Sequence, residues 1–313
     1  MSVLLPVLLE NLLALFILIG VGYAARKRSW VSDAFPSSLS ALLMRAALPA
    51  TIFTALIRPF DPGLLRDGLI VGGAAAGFYL ISAALALAAA RLLRVPMPRM
   101  GAWMLCVTFT NGGFMGFPII YSLFGNDGLA LATFTNIPWT ILFYTLGVWQ
   151  LLFGKDGSDG RQAVSWRSVL LTPINLALVL GLGCFLFGFT PPEAVMLPLR
   201  HLSNIMTPLS MMLIGMTLAG KRTSVVFRDR DALSGMLVRL IPLPLLVLLI
   251  LKAIPFANPL IVPVLVLVFA MPSTVVGNTV AAQYGADDEL AARIVFLSSL
   301  FCILTIPAIL FLL

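Results

Sequence analysis

Long apolar stretches separated by short polar loops dominate the pattern of this chain. Each stretch has about twenty residues, the length with which a helix crosses the hydrocarbon core of a bilayer. Val3 to Ala25 is predicted to be a retained helix, not a signal peptide, because its basic residues follow the apolar core. The pattern predicts an all-α polytopic membrane protein with ten transmembrane helices, numbered spans one to ten, at residues 3–25, 36–57, 66–90, 99–124, 128–153, 168–189, 198–219, 232–252, 257–284 and 290–313.

The composition agrees with a membrane protein. Of the 313 residues, 60% are hydrophobic and 11% are charged, whereas soluble domains carry roughly a quarter of their residues as charges. The net charge of +7 would suit nucleic acid, but excess Lys and Arg is expected in the cytoplasmic loops of membrane proteins. All three cysteines lie in apolar stretches and are expected to be small buried side chains. We therefore expect no nucleic-acid partner, cofactor or metal site.

The basic residues are unevenly distributed between the loops. Odd-numbered loops hold fourteen of the twenty Lys and Arg residues, and even-numbered loops hold four. Because basic loops stay in the cytoplasm, the odd-numbered loops are predicted to be cytoplasmic and both termini to lie outside. The short central loop favours a bacterial inner (plasma) membrane.

The longest polar connection, residues 154–166, divides the chain into two halves of five spans, 1–153 and 167–313. An odd number of spans per half reverses the orientation of the second half, which predicts a 5+5 inverted repeat, a transporter architecture. Three short similarities between the halves support this: NLLALFILIG with NLALVLGLG, LPATIF with TPLSMM, and FGNDGLALA with YGADDELAA.

Spans four and nine contain helix-breaking clusters at matching positions, NGGFMGFP and AMPSTVVGN. A broken helix in lipid leaves backbone groups without partners, at several kcal/mol each, unless protein or water satisfies them. Gly and Pro are common in transmembrane helices, but matching breaks in both halves favour crossing helices that bind a ligand. Helix N-termini there would attract an anion, and freed carbonyls a cation such as sodium. The predicted substrate-binding residues are Asn111, Gly112, Gly113, Gly116, Pro118, Pro272, Ser273, Thr274, Gly277 and Asn278.

Spans two and seven contribute weaker candidates. Arginine's planar fork suits a substrate carboxylate, but we expect Arg45 to extend to the cytoplasmic interface, and Arg239 of span eight to do the same. Glu10 is a weak candidate for proton coupling. The weaker substrate-binding candidates are Thr51, Thr207, Ser210, Met211 and Arg45.

The N-G-G-x-x-G-x-P pattern at 111–118, the PSTVVGN segment at 272–278 and the ten-span layout resemble the auxin efflux carrier family, including bacterial members labelled malonate or auxin-carrier-like transporters. The resemblance covers essentially the whole chain. It implies the fold of the bile-acid:sodium symporters, with a scaffold domain of spans 1, 2, 6 and 7 and a transport domain of spans 3–5 and 8–10. It further implies an elevator mechanism and a homodimer. The plant carriers have Asn-Pro at the first break, whereas here glycine follows Asn111.

These observations predict a secondary active or facilitative transporter of a small organic anion, either a carboxylate such as malonate or an auxin-like indole acid. Coupling to Na⁺ or H⁺, or uniport, stays open. Alternatives are a channel, a transport-dead membrane sensor, or sodium-coupled uptake of a larger amphipathic acid. An enzyme is not expected, because the spans lack an acid pair, a Ser–His pair or metal ligands. Membrane lipid surrounds the chain.

Overall fold

The computed structural model describes residues 4–153, 171–219 and 226–313, and their regular structure is helical, as predicted. The predicted central loop at 154–166 and the side chain of Glu10 lie outside this description. The helices are α1 Leu4–Lys27, α2 Phe35–Leu56, α3 Pro62–Leu92, α4 Met97–Thr108, α5 Gly112–Thr133, α6 Asn136–Leu151, α7 Pro173–Phe187, α8 Glu193–Asn204, α9 Met206–Ala219, α10 Arg230–Lys252, α11 Ile261–Ala270, α12 Val276–Gln283 and α13 Asp288–Leu312.

A helix occupies each of the ten predicted spans, but fewer helices are long enough to cross a bilayer on their own. Within the described residues, α2, α3, α10 and α13 are long and apolar enough. Helices α5 and α6, which are separated by two residues, give a fifth span if the bent pair is counted as one. Helices α7 and α11 are also apolar but are shorter. These helices support an integral membrane protein. The count of ten and the inverted repeat stay predictions.

Helix α5 covers the end of predicted span four and the beginning of span five. Gly125 interrupts it with a φ of 61° and a ψ of −155°. A positive φ favours glycine because this residue has no Cβ to collide with the backbone. The turn between the two predicted spans is therefore made inside α5 at this glycine.

The chain forms two compact units. The first comprises residues 1–68, 113–133 and 166–221, and the second comprises residues 69–112, 134–165 and 222–313. The first unit contains α1, α2, α7, α8, α9 and most of α5, and the second contains most of α3 with α4, α6 and α10 to α13. The two sequence halves, and the scaffold and transport domains implied by the family resemblance, stay predictions.

In the first unit, α1 and α9 pack with their backbones in close approach. A Cβ added to Gly215 would lie 1.9 Å from the carbonyl oxygen of Ile19, and one added to Gly22 would lie 2.0 Å from that of Met212. Helix association in lipid depends on close packing of this kind, because the lipid tails are as apolar as the side chains. These two glycines therefore fix the distance between the helices.

In the second unit, an aromatic cluster packs beside the ends of α4 and α11. Tyr79 of α3 lies with its ring centroid 5.6 Å from that of Phe109 and 4.8 Å from that of Phe269. Phe143 of α6 packs edge-on against Phe109 at 5.1 Å and stacks on Trp139 at 4.6 Å. Rings at these distances gain energy beyond their area burial. The cluster thus holds α3, α4, α6 and α11 around one region.

An arginine–aspartate cluster joins the starts of α4, α10 and α13 in the second unit. Arg99 donates hydrogen bonds to Asp229 at 2.5 Å, to Asp287 at 3.2 Å and to Asp231. Arg293 donates a second charged hydrogen bond to Asp229 at 2.6 Å. Asp229 is almost buried, with 5% of its side chain exposed. These ion pairs connect three loops that are far apart in the sequence.

Candidate functional site

Two helices of the second unit end at the clusters that the sequence identifies as breaks. Helix α4 ends at Thr108 and continues into an extended residue, Phe109, with a φ of −101° and a ψ of 131°. Helix α11 ends at Ala270 and continues into Met271, whose ψ is 151°. Met271 precedes Pro272, and the proline ring disfavours a helical conformation in the residue before it. The second break therefore follows from the local sequence.

The two breaks lie side by side and form a short antiparallel bridge, with Thr110 opposite Ser273. The backbone N–H of Asn111 donates to the carbonyl of Pro272 at 2.8 Å, and the N–H of Thr274 donates to the carbonyl of Phe109 at 3.0 Å. We call residues 109–111 and 272–274 the paired breaks. Their backbone groups satisfy one another, which offsets much of the cost of interrupting both helices.

Side chains satisfy further backbone groups at the paired breaks. The hydroxyl of Ser273 donates to the carbonyl of Cys106 at 2.7 Å, while its N–H donates to the hydroxyl of Ser298 at 3.1 Å. The indole N–H of Trp139 donates to the carbonyl of Thr110 at 3.2 Å. The sequence offered no signal for these contacts, because Trp139 and Ser298 lie in α6 and α13.

Arg239 of α10 is buried beside the paired breaks with 0% of its surface exposed. Its Nε donates to the carbonyl of Met271 at 3.1 Å, its Nη1 to that of Val107 at 3.1 Å and its Nη2 to that of Phe269 at 2.5 Å. The prediction that Arg239 extends to the membrane interface was wrong. The C-terminal carbonyls of α4 and α11 carry partial negative charge that stabilises a buried cation.

Two more polar side chains support the first break from neighbouring helices. The hydroxyls of Tyr79 and Thr110 lie 3.1 Å apart, within hydrogen-bond distance. The side-chain amide of Gln150 donates to the hydroxyl of Thr108 at 2.9 Å. The sequence prediction missed both Tyr79 and Gln150. A polar residue inside an apolar span was the available signal for Gln150.

Asn111 has a buried donor that is not satisfied, whereas the unsatisfied buried atom of the nearby Gln150 is an acceptor, its side-chain oxygen Oε1. Only 3% of Asn111 is exposed, and its side-chain nitrogen Nδ2 has no hydrogen-bond partner among the described residues. An unpaired buried donor costs about 1 to 3 kcal/mol. Such an atom in a native fold requires an explanation, and a ligand acceptor is one.

The remaining strong candidates are distributed over both units. Gly112 follows Asn111 at the start of α5, and Gly277 and Asn278 lie in α12, Gly277 buried and Asn278 partly exposed. Gly113, Gly116 and Pro118 belong to the first unit. The structure therefore brings five candidates together at the paired breaks and directly after them, namely Asn111, Gly112, Pro272, Ser273 and Thr274.

The weaker candidates all lie in the first unit. The hydroxyl of Thr51 donates to the carbonyl of Ala47 at 2.8 Å, and that of Ser210 donates to the carbonyl of Thr207 at 3.0 Å, so both bond to their own helices. Met211 is buried as a packing residue, and Arg45 is exposed.

No group of three or more His, Cys, Asp or Glu side chains in the described part of the chain is arranged to hold a metal ion. The polar groups at the paired breaks are hydroxyls, amides and backbone groups, with Arg239 as their charged neighbour. This chemistry suits reversible binding of a ligand through hydrogen bonds.

Comparison with known proteins gives consistent matches along the chain. A family model described as "Membrane transport protein" matches residues 7–162 and 160–310. An uncharacterized transporter of Methanothermobacter thermautotrophicus is 26% identical over 298 residues, which cover 95% of this chain and 96% of that protein. An uncharacterized transporter of Methanocaldococcus jannaschii is 24% identical over 303 residues, again covering 95% and 96%.

Proposed function

Because this chain belongs to the membrane transport protein family, the auxin efflux carrier family that its sequence resembles, we propose that it is a secondary transporter of a small organic anion. The family and both relatives indicate a transporter and not an enzyme. The proposed substrates are mono- or dicarboxylates such as malonate, or an indole acid. The paired breaks would hold the anion.

The unpaired side-chain nitrogen of Asn111 is the main observation that supports an organic anion as the substrate. Nδ2 is a hydrogen-bond donor without a partner in a residue that is 3% exposed. A carboxylate oxygen accepts such a bond, and charge-assisted hydrogen bonds are roughly twice as strong as neutral ones. Binding would therefore recover the energy that the unpaired donor costs.

The helix that follows the second break adds a favourable field for an anion. Helix α12 begins at Val276, two residues after the paired breaks. The first N–H groups of a helix lack partners within the helix, and its N-terminus carries a partial positive charge. This arrangement supports an anionic substrate over a cationic one.

For the mechanism we propose elevator-type alternating access. The five candidates at the paired breaks belong to the second unit, and hydrogen bonds within this unit join the two breaks, so this unit would carry the substrate while it moves relative to the first. A homodimer in a bacterial inner membrane is part of the same proposal and rests on the family resemblance.

Ion pairs between loops support the proposal that successive loops lie on alternate faces of the membrane. Within the second unit, Arg99 of the third loop contacts Asp229 of the seventh and Asp287 of the ninth. Within the first unit, Arg58 of the second loop contacts Asp127 of the fourth at 2.5 Å. Each pair joins loops of the same parity, as expected if odd and even loops lie on opposite faces. The excess of basic residues favours the odd face as cytoplasmic.

A thermal-shift panel on the purified protein tests this proposal. Malonate, other carboxylates, amino acids and indole acids would be screened, and we expect at least one organic acid to raise the Tm of the wild type. Asn111→Ala should lose this shift while it folds normally. Asn204→Ala, which changes an exposed asparagine in α8, is the matched control and should keep it.

Two results would contradict the proposal. If no organic acid shifts the Tm, the substrate class is wrong, and if Asn111→Ala responds like the wild type, the paired breaks are not the site. Flux measured in proteoliposomes with the acid that binds separates a carrier from a channel or a sensor. A carrier saturates with substrate and is stimulated by substrate on the opposite side.

A further inference from the structure

The carbonyls that the two breaks release on the C-terminal side of α4 and α11 are held by one buried arginine. Arg239 contacts Val107 near the end of α4, and Phe269 and Met271 at the end of α11. In transporters with broken helices, unwound carbonyls and helix C-termini are the groups that coordinate a coupling cation. Here a side chain of the protein already occupies three of them.

Four further carbonyls at or beside the breaks also accept hydrogen bonds from the protein. The carbonyl of Cys106 accepts from Ser273, and that of Thr110 accepts from Trp139. The carbonyls of Phe109 and Pro272 accept from the opposite break. A sodium ion would have to displace several of these donors to assemble an oxygen shell.

We propose that Arg239 is a resident cation that replaces a coupling sodium ion at the paired breaks, so that the protein binds and transports its substrate without Na⁺ at this site. The guanidinium is protonated at all physiological pH values and presents five donors in a fixed plane. Because its charge stays with the protein throughout the cycle, it supplies no ion gradient as a driving force. This inference rests on the proposed transport function, because a coupling ion matters only to a transporter. Its test requires neither transport nor a known substrate.

The test is a set of thermal melts of the full-length protein in detergent without any carboxylate, in about 100 mM NaCl, KCl or choline chloride. The wild type should show the same Tm in all three salts, since Arg239 occupies the place of a sodium ion at the paired breaks. Arg239→Ala should melt roughly 5 °C or more below the wild type, because three buried carbonyls lose their donors. NaCl, or about 10 mM guanidinium chloride, should restore part of this loss where choline does not.

Two controls keep the result interpretable. Arg230→Ala removes an exposed arginine from the first turn of α10 and should change neither the Tm nor its dependence on the cation. If Arg239→Ala does not fold, Arg239→Gln keeps a neutral donor at the position and removes the charge. This variant should fold and gain a sodium response.

The proposal is overturned if Na⁺ specifically stabilises the wild type. It is equally overturned if the Arg239 variant that folds shows no response to sodium or guanidinium, because Arg239 would then only pack the helix ends. Neither result depends on an organic acid, so a failed carboxylate panel rejects the proposed substrate and leaves this inference to its own test.

Discussion

The arginine–aspartate cluster should make the stability of the protein depend on pH, because the carboxyl group of Asp229 stabilises the fold only when it is ionised. Burial alone would raise the pKa of this carboxyl, but hydrogen bonds from Arg99 and Arg293 lower it from 3.8 to about 2. A pKa that is lower in the folded state means that the ionised group stabilises the fold. The contribution is present above pH 4 and is lost as the pH falls from about 4 to about 2.

The size of this contribution follows from the two pKa values and the exposure of the partners. A change from 3.8 to about 2 corresponds to about 2 kcal/mol. Arg99 and Arg293 are 26% and 21% exposed, and solvent weakens the attraction, so we expect 1 to 2 kcal/mol, on the order of a few degrees in Tm. Asp229→Asn should lose this amount at pH 7 while keeping an oxygen for the N–H groups of Asp231 and Ala232 at the start of α10.

The assay is the Tm of wild type and Asp229→Asn measured from pH 7 to pH 2.5 at one scan rate, since melts of membrane proteins are often irreversible. The difference between the two proteins should shrink as the pH falls below 4. Asp33→Asn is the control, because Asp33 is 99% exposed and its contact with Arg26 is 3.4 Å, and it should change little at any pH. A difference for Asp229→Asn that stays constant down to pH 2.5 would refute the electrostatic explanation.

Two further substitutions test the packing and the paired breaks. Gly215→Ala should destabilise the protein by about 2 kcal/mol or more, because its Cβ would lie 1.9 Å from the carbonyl of Ile19. Gly20→Ala on α1, where nothing lies within 4 Å of the added Cβ, should be tolerated in the same melts; equal Tm values for both would contradict the close approach. Ser273→Ala should lower the Tm by a few degrees and weaken carboxylate binding, since the carbonyl of Cys106 loses a 2.7 Å hydrogen bond. Ser38→Ala, at an exposed serine, should do neither, and unchanged binding in Ser273→Ala would argue against the paired breaks as the site.

The breaks themselves were predictable because their causes are local. Pro272 acts on the residue before it, and the Asn-Gly-Gly sequence that begins at Asn111 has low helix propensity in an otherwise apolar run. The sequence also predicted that the two clusters would cross, through the expected repeat. It could not predict which backbone groups would pair, because Asn111 and Pro272 come from opposite halves of the chain.

The role of Arg239 was not predictable from its own surroundings. Its distance from the end of the predicted span favoured extension to the interface. Its partners, however, are Val107, which is 132 positions away in sequence, and two carbonyls 30 and 32 positions away. An intramembrane arginine is better treated as a functional candidate from the outset. The same limit applies to Asp229, which is 130 positions from Arg99.

The proposed preference of the paired breaks for an anion rests on the hydrogen bonds that surround them. Arg239, the hydroxyl of Ser273, the indole of Trp139 and the opposing backbone donate to seven of the carbonyls around the breaks. The Nδ2 atom of Asn111 is left as an unpaired donor. A cation would have to break existing bonds and would face the buried charge of Arg239, whereas a carboxylate would fill the missing acceptor and be attracted by that charge. Selectivity for the sign of the substrate can therefore arise from the protein's own hydrogen bonds, without a charged side chain that touches the substrate.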